Sequence, residues 1–197
     1  MDLEALLAAQ EGPNRTAALV AWIQGLFAPG EAPVLVGGAA VELYTGGAST
    51  TGDLDFVGVV MADVENALES NGFTHQGRHW LHERGQLFVE FPSVALRSGE
   101  TAVALRVGEV EVLVISPEDL LAERLAAWKH WRSTVDGVNA MLLYRAQRLS
   151  LRPRTLSARA AALGAADALD ALRRLARKER RQRLTLEEIE RWAQGGL

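Results

Sequence analysis

Between residues 34 and 60 the chain reads VLVGGAAVELYTGGASTTGDLDFVGVV, an apolar run that breaks at Gly37-Gly38 and a second apolar run that carries Asp53 and Asp55. The pattern predicts a strand, a glycine turn that opens a helix, and a strand bearing two carboxylates. Side chains at i and i+2 of a strand leave the same face. Asp53 and Asp55 are therefore expected to stand together, with Leu54 turned into the core. Two like charges so close repel, and a metal cation is the usual remedy. Glycines ahead of a helix let backbone N–H groups approach a phosphate, which gives Gly37 and Gly38 the β- and γ-phosphates of a nucleotide. Together these parts describe a site for a nucleoside triphosphate with Mg²⁺ or Mn²⁺.

Further along, the signals sort the chain into two halves. A helical pattern covers residues 2–27, with Asn14 as a plausible cap and Leu19, Trp22, Ile23, Leu26 and Phe27 at helical spacing. Strand patterns follow at 34–37, 54–60, 87–91, 102–107 and 110–115, with a helix over about 62–70. From Pro117 the period becomes helical and stays so, with Ser116 as N-cap and acids in the first turn. The expected fold is α+β: a small mixed β-sheet core with flanking helices over 1–116 and a helical C-terminal domain over 117–197.

Two acids in the later strands compete for a role beside the aspartates. Glu90 lies in LFVEF, where an acid is costly unless it has a partner, and Glu111 in VEVLVI is expected to pair with an arginine on a strand surface. Ser49, Thr50 and Thr51 precede the aspartates and can add hydroxyl contacts to phosphate. His75, His79, His82 and His130 read as surface or packing residues, and Trp128 and Trp131 as core.

The order hydrophobic–Gly-Gly–helix–Asp-x-Asp–hydrophobic resembles the signature of the DNA polymerase beta-like nucleotidyltransferase superfamily, above all its minimal and AbiEii-type bacterial members. RHWLHERGQLFVEFPS (78–93) and VEVLVISPEDLLAERLAAWKHW (110–131) are similar to these proteins too, so the likeness covers about 34–131. It implies Mg²⁺-dependent chemistry on an NTP, a third metal-binding carboxylate, for which Glu90 is the candidate, and a phosphate contact from Arg124. Arg124 stands where AbiEii-type proteins commonly carry lysine, and an ion pair with Glu123 or Asp119 is the competing reading. Thr134-Val135-Asp136 replaces the Lys-Asp pair of the toxins.

Composition narrows the partners. The chain has 197 residues, 48% of them hydrophobic, and no cysteine, which excludes disulfides and thiolate metal sites. No Gly-x-Ser-x-Gly or P-loop motif occurs. The acidic N-terminus is unlike a secretory signal and no apolar run approaches membrane-span length, so no membrane partner and a cytoplasmic location are expected. Residues 145–183 hold 12 Lys/Arg against 3 Asp/Glu. That segment either receives a polyanionic acceptor, chiefly through Arg173, Arg174, Arg177, Arg180 and Arg181, or is a solvated helical surface or one that neutralises the acidic N-terminal domain.

The expected activity is transfer of a nucleoside monophosphate from an NTP to a hydroxyl of a tRNA or protein. The resemblance adds a toxin–antitoxin or defence setting with an antitoxin partner. The rivals are a non-catalytic nucleotide- or partner-binding module and a transferase acting on a small antibiotic.

Overall fold

The computed structural model describes residues 2–195. Among these residues the chain forms nine helices and a seven-stranded mixed sheet, an α+β fold that divides after Ser116 into two compact units. None of the helices is long and apolar enough to cross a membrane.

The first unit runs α1 (Leu3–Leu7), α2 (Pro13–Gln24), β1 (Val34–Val36), α3 (Gly37–Thr45), β2 (Asp53–Val57), α4 (Ala62–Ser70), β3 (Thr74–Gln76), β4 (His79–His82), β5 (Leu87–Ser93), β6 (Ala102–Val107) and β7 (Val110–Ile115). Its strands lie in the order β3-β4-β5-β2-β1-β7-β6. The pairs β2/β5 and β1/β7 are parallel and the other neighbours antiparallel. The continuous helix expected over 2–27 is instead broken. Gly12, at φ 140°, precedes Pro13 at the first position of α2, where a proline lacks no bond that the helix needs. Asn14 thus sits inside the first turn rather than at the cap.

Leu35, Phe56, Val89 and Val114 are buried to 0% exposure at the sheet centre, and Leu19, Val20 and Ile23 of α2 join this core. The Gln24 amide fastens α2 to it: Nε2 donates to the carbonyls of Pro33 (2.8 Å) and Leu113 (2.7 Å), and Oε1 accepts the Leu113 N–H at 3.0 Å. A buried amide so fully paired costs little to bury.

The hairpin β3/β4 was not expected from sequence. Thr74–Gln76 is exposed throughout and offers no apolar residue to signal a strand. His75 and His79 diverge, because His75 stacks on Trp80 at 4.4 Å while His79 leaves from the opposite face.

The second unit is helical: α5 (Pro117–Trp131), α6 (Thr134–Gln147), α7 (Pro153–Ala162), α8 (Ala166–Glu179) and α9 (Leu186–Gly195). Leu120, Leu125, Met141, Leu143, Leu172 and Ile189 are all fully buried. Trp128 Nε1 donates to the Ala193 carbonyl at 2.8 Å, and its ring lies 4.3 Å from that of Trp192. Gly137 has no room for a side chain, since a Cβ there would come within 2.7 Å of the Trp128 ring. Trp131, expected in the core, is 80% exposed. It ends α5 just before Arg132 takes a positive φ of 53°.

Both acids of the first turn of α5 are buried and paired, Glu118 with Arg152 and Asp119 with Arg159. Burial alone would push the Glu118 carboxyl up, but the hydrogen bonds and charge of Arg152 hold it below the ordinary glutamate value. At the other end of the unit, the Thr185 hydroxyl accepts the Glu188 N–H while the Glu188 carboxylate accepts the Thr185 N–H. That reciprocal cap opens α9.

Candidate functional site

Strand β2 delivers its acids as the alternation requires. Leu54 and Phe56 are buried, while Asp53 is exposed and Asp55 half-buried on the other face. Parallel pairing then sets Asp53 beside Phe88 and Asp55 beside Glu90. The register continues across the hairpin, Glu90 with His79 and His79 with Gln76, and in the next row Phe88 with Leu81 and Leu81 with Thr74. Two cross-strand rows therefore share the open face: Asp55, Glu90, His79, Gln76 and Asp53, Phe88, Leu81, Thr74. Asp53, Gln76, His79, Leu81, Phe88 and Glu90 line a cleft of about 230 Å³ on that face.

Gly37 meets this corner from the other side. It takes φ +68° at the first residue of α3, and a Cβ added there would overlap the Asp55 carboxylate. The missing side chain is what lets a carboxylate reach the start of the helix. Gly38 faces Thr51 instead, with the nearest Thr51 atoms 3.1 Å from its would-be Cβ. The Thr51 hydroxyl accepts the Asp53 N–H at 3.4 Å, and the Thr51 N–H lies 3.5 Å from the Glu42 carboxylate. Thr50 and Thr51 also line a separate cleft of about 390 Å³ with Arg15, Thr16 and Glu42. They thus border the aspartates without lining the aspartates' cleft.

Glu90 is half-buried and engaged. Arg78 Nε lies 2.6 Å from one carboxylate oxygen and His79 Nδ1 3.5 Å from the other. Glu111, the competitor, pairs with Arg106 at 3.6 Å on the distant β6/β7 hairpin.

The donor set can be weighed against a hard divalent cation. Asp53 and Asp55 supply oxygens from one face of one strand, which suits Mg²⁺, an ion commonly held by one or two carboxylates plus waters and substrate phosphates. Among the described residues no group of three acids or histidines is arranged to hold a metal, and Glu90 is paired with Arg78 and His79. The fit is to a two-carboxylate site with a third carboxylate alongside.

In the second unit, Arg124 donates to Asp136 at 2.8 Å, so its acidic partner is neither Glu123 nor Asp119. Its Nε is buried without a hydrogen-bond partner. Within the basic segment some arginines are engaged, while others, with Arg148, Arg154, Lys178 and Arg183, are open. Arg145, Arg152 and Arg159 are bound to Glu179, Glu118 and Asp119, and Arg173 donates to the Ser157 hydroxyl and lies 3.7 Å from Asp170. Arg174, Arg177, Arg180 and Arg181 are exposed, and no ion pair holds them among the described residues.

Sequence reasoning named the acids of this face and missed the rest of it. Phe88 and Glu90 share a strand face by the same i, i+2 rule that joined Asp53 to Asp55, so Phe88 was within reach of that rule. Arg78, His79 and Gln76 were not, since their place depends on an unforeseen hairpin. No family model, curated protein or solved structure matches the chain. Function is accordingly read from the chemistry of this face.

Proposed function

We propose that the chain is a nucleotidyltransferase, dependent on Mg²⁺ or Mn²⁺, that moves a nucleoside monophosphate from an NTP to a hydroxyl of a macromolecular acceptor, a tRNA or a protein. The observation that carries this reading is the convergence of Asp53, Asp55 and Glu90 on one open sheet face beside the glycine start of α3. Asp53 and Asp55 would hold the cation, which when bound neutralises charge on the triphosphate. The glycine turn offers N–H groups and the positive end of α3 to phosphate oxygens. In the transfer, a bond forms between the acceptor oxygen and the α-phosphorus, the bond from that phosphorus to the bridging oxygen breaks, and pyrophosphate leaves. Glu90, beside Asp55, is placed to accept the acceptor's proton once Arg78 moves off its oxygen. Positioning and charge supply most of the rate in such phosphoryl chemistry.

The engagement of Glu90 by Arg78 favours one other reading, a nucleotide-binding module of the same fold without turnover. Radiolabel transfer from each α-labelled NTP into a lysate of cells separates them. Labelled RNA or protein that disappears in Asp55→Asn supports the transferase. Retained label with Asp55→Asn removes the aspartates from the chemistry, and no label with any NTP leaves the binding module.

A further inference from the structure

Phe88, the second residue of the seven-residue strand β5, is 42% exposed between Leu87 and Val89, which are buried. Its ring lines a cleft rather than standing alone on the surface, so an occupant of that cleft can cover it. Leu81 is its cross-strand neighbour and extends the apolar floor, while Gln76, His79 and Glu90 bring hydrogen-bonding groups to one side and Asp53 closes the other. The cleft, about 230 Å³, falls below the roughly 300–1,000 Å³ of pockets that enclose a whole drug-sized ligand. It therefore takes one part of a ligand, and that part has an apolar face and polar edges.

Resting on the reading of Asp53 and Asp55 as the triphosphate end of the site, we propose that this cleft holds the nucleobase of the NTP, stacked on Phe88 with its edge toward Gln76. A flat nitrogen heterocycle matches both features of the lining, where an aliphatic group would leave the polar wall unpaired. The offset also agrees. Phe88 lies two residues, or about 6–7 Å of strand, from Asp55 and the Gly37 turn that Asp55 approaches, which leaves a sugar's length between the base and phosphates held at that turn, with Asp53 on the strand between the two. Stacking sets affinity for any base, whereas the Gln76 amide, with one acceptor and two donors, selects among them.

Calorimetric titration with Mg-ATP, Mg-GTP, Mg-CTP, Mg-UTP and Mg-tripolyphosphate tests this on the wild type, Phe88→Ala, Phe88→Tyr and Asp53→Asn. The expected result is a preferred NTP that binds wild type at least tenfold more tightly than tripolyphosphate does. Phe88→Ala should lose about 5- to 150-fold for that NTP, the range of one lost base stack, and keep tripolyphosphate binding. Phe88→Tyr should retain NTP affinity, and Asp53→Asn should weaken both ligands. Wild type that binds NTP and tripolyphosphate equally, or Phe88→Ala that binds NTP as wild type does, overturns the base pocket and leaves the proposed function standing. Wild type that binds neither ligand removes both. Phe88 is partly exposed, so its replacement is compatible with a folded chain, which thermal unfolding of each variant verifies.

Discussion

A single missing methyl shapes the corner where α3 meets β2. Gly37 needs its left-handed φ of +68°, and its bare α-carbon makes room for the Asp55 carboxylate. An L side chain in that region costs about 1–2 kcal/mol before any clash, so Gly37→Ala should lower stability by at least that much. It should also push Asp55 off the helix start and weaken Mg-NTP binding more than tenfold. Chemical denaturation and calorimetry check the two parts, and a variant of wild-type stability and affinity would contradict the close approach. Arg78 is the opposite kind of residue, exposed at its side chain to 73% and free to leave. Glu90 is only 17% exposed, so Arg78 is the partner that swings away when a cation approaches the carboxylate. Arg78→Gln should accordingly raise Mn²⁺ affinity several-fold, measured by titration followed by electron paramagnetic resonance. Unchanged or lower affinity would mean that Glu90 is not a metal ligand.

Elements whose apolar pattern repeats were readable in advance, and those defined by contacts were not. The helix over 62–70 and the strands near 34, 87, 102 and 110 follow from periodicity and turn residues, and they fall where expected. The acids of β2 are legible from alternation and Glu90 of β5 from the cost of an acid in an apolar strand, although their adjacency requires a parallel pairing that no local pattern encodes. The β3/β4 hairpin escaped because Thr74, His75 and Gln76 are polar on both faces. The break at Gly12-Pro13 was overridden by the helical spacing that resumes after it. In α5 the acids of the first turn read as helix-start residues, yet their partners Arg152 and Arg159 come from the connection into α7 and from α7 itself. Glu118 turns that pairing into a pH dependence. Its folded pKa lies below the unfolded value of about 4.3, so its contribution is present above that value and is lost as pH falls through the folded pKa. Glu118→Gln should therefore cost about 1–3 kcal/mol at pH 7, as for hydrogen bonds to a buried charge, and the gap to wild type should narrow below about pH 4. Urea melts from pH 7 to pH 3 measure it, and a constant gap would assign the loss to packing.

Charge is distributed unevenly between the two units. Residues 1–116 hold 5 Lys/Arg against 15 Asp/Glu, and residues 117–197 hold 16 against 10. An acidic unit that binds a triphosphate needs its cation for that reason alone, since the anionic ligand otherwise meets a field of its own sign. The basic unit carries no such conflict and is the natural host for a polyanion. Internal ion pairs already occupy Arg145, Arg152 and Arg159, and Arg173 is partly engaged. Among the described residues of the segment, those exposed without an ion pair are Arg148, Arg154, Arg174, Arg177, Lys178, Arg180, Arg181 and Arg183, of which Arg174 and Arg177 lie three apart on α8 and so share a face. Four phosphate contacts would make binding fall roughly a hundredfold between 50 and 200 mM salt through counterion release. Mobility shifts with bulk tRNA at the two salt concentrations should show that drop for wild type. Changing Arg174, Arg177, Arg180 and Arg181 together to glutamine should weaken the low-salt binding and flatten the slope, while Arg173→Gln should leave them nearly intact. Absence of tRNA binding at the lower salt would turn the acceptor reading toward a protein hydroxyl, and salt-independent binding would show that these arginines do not reach phosphate.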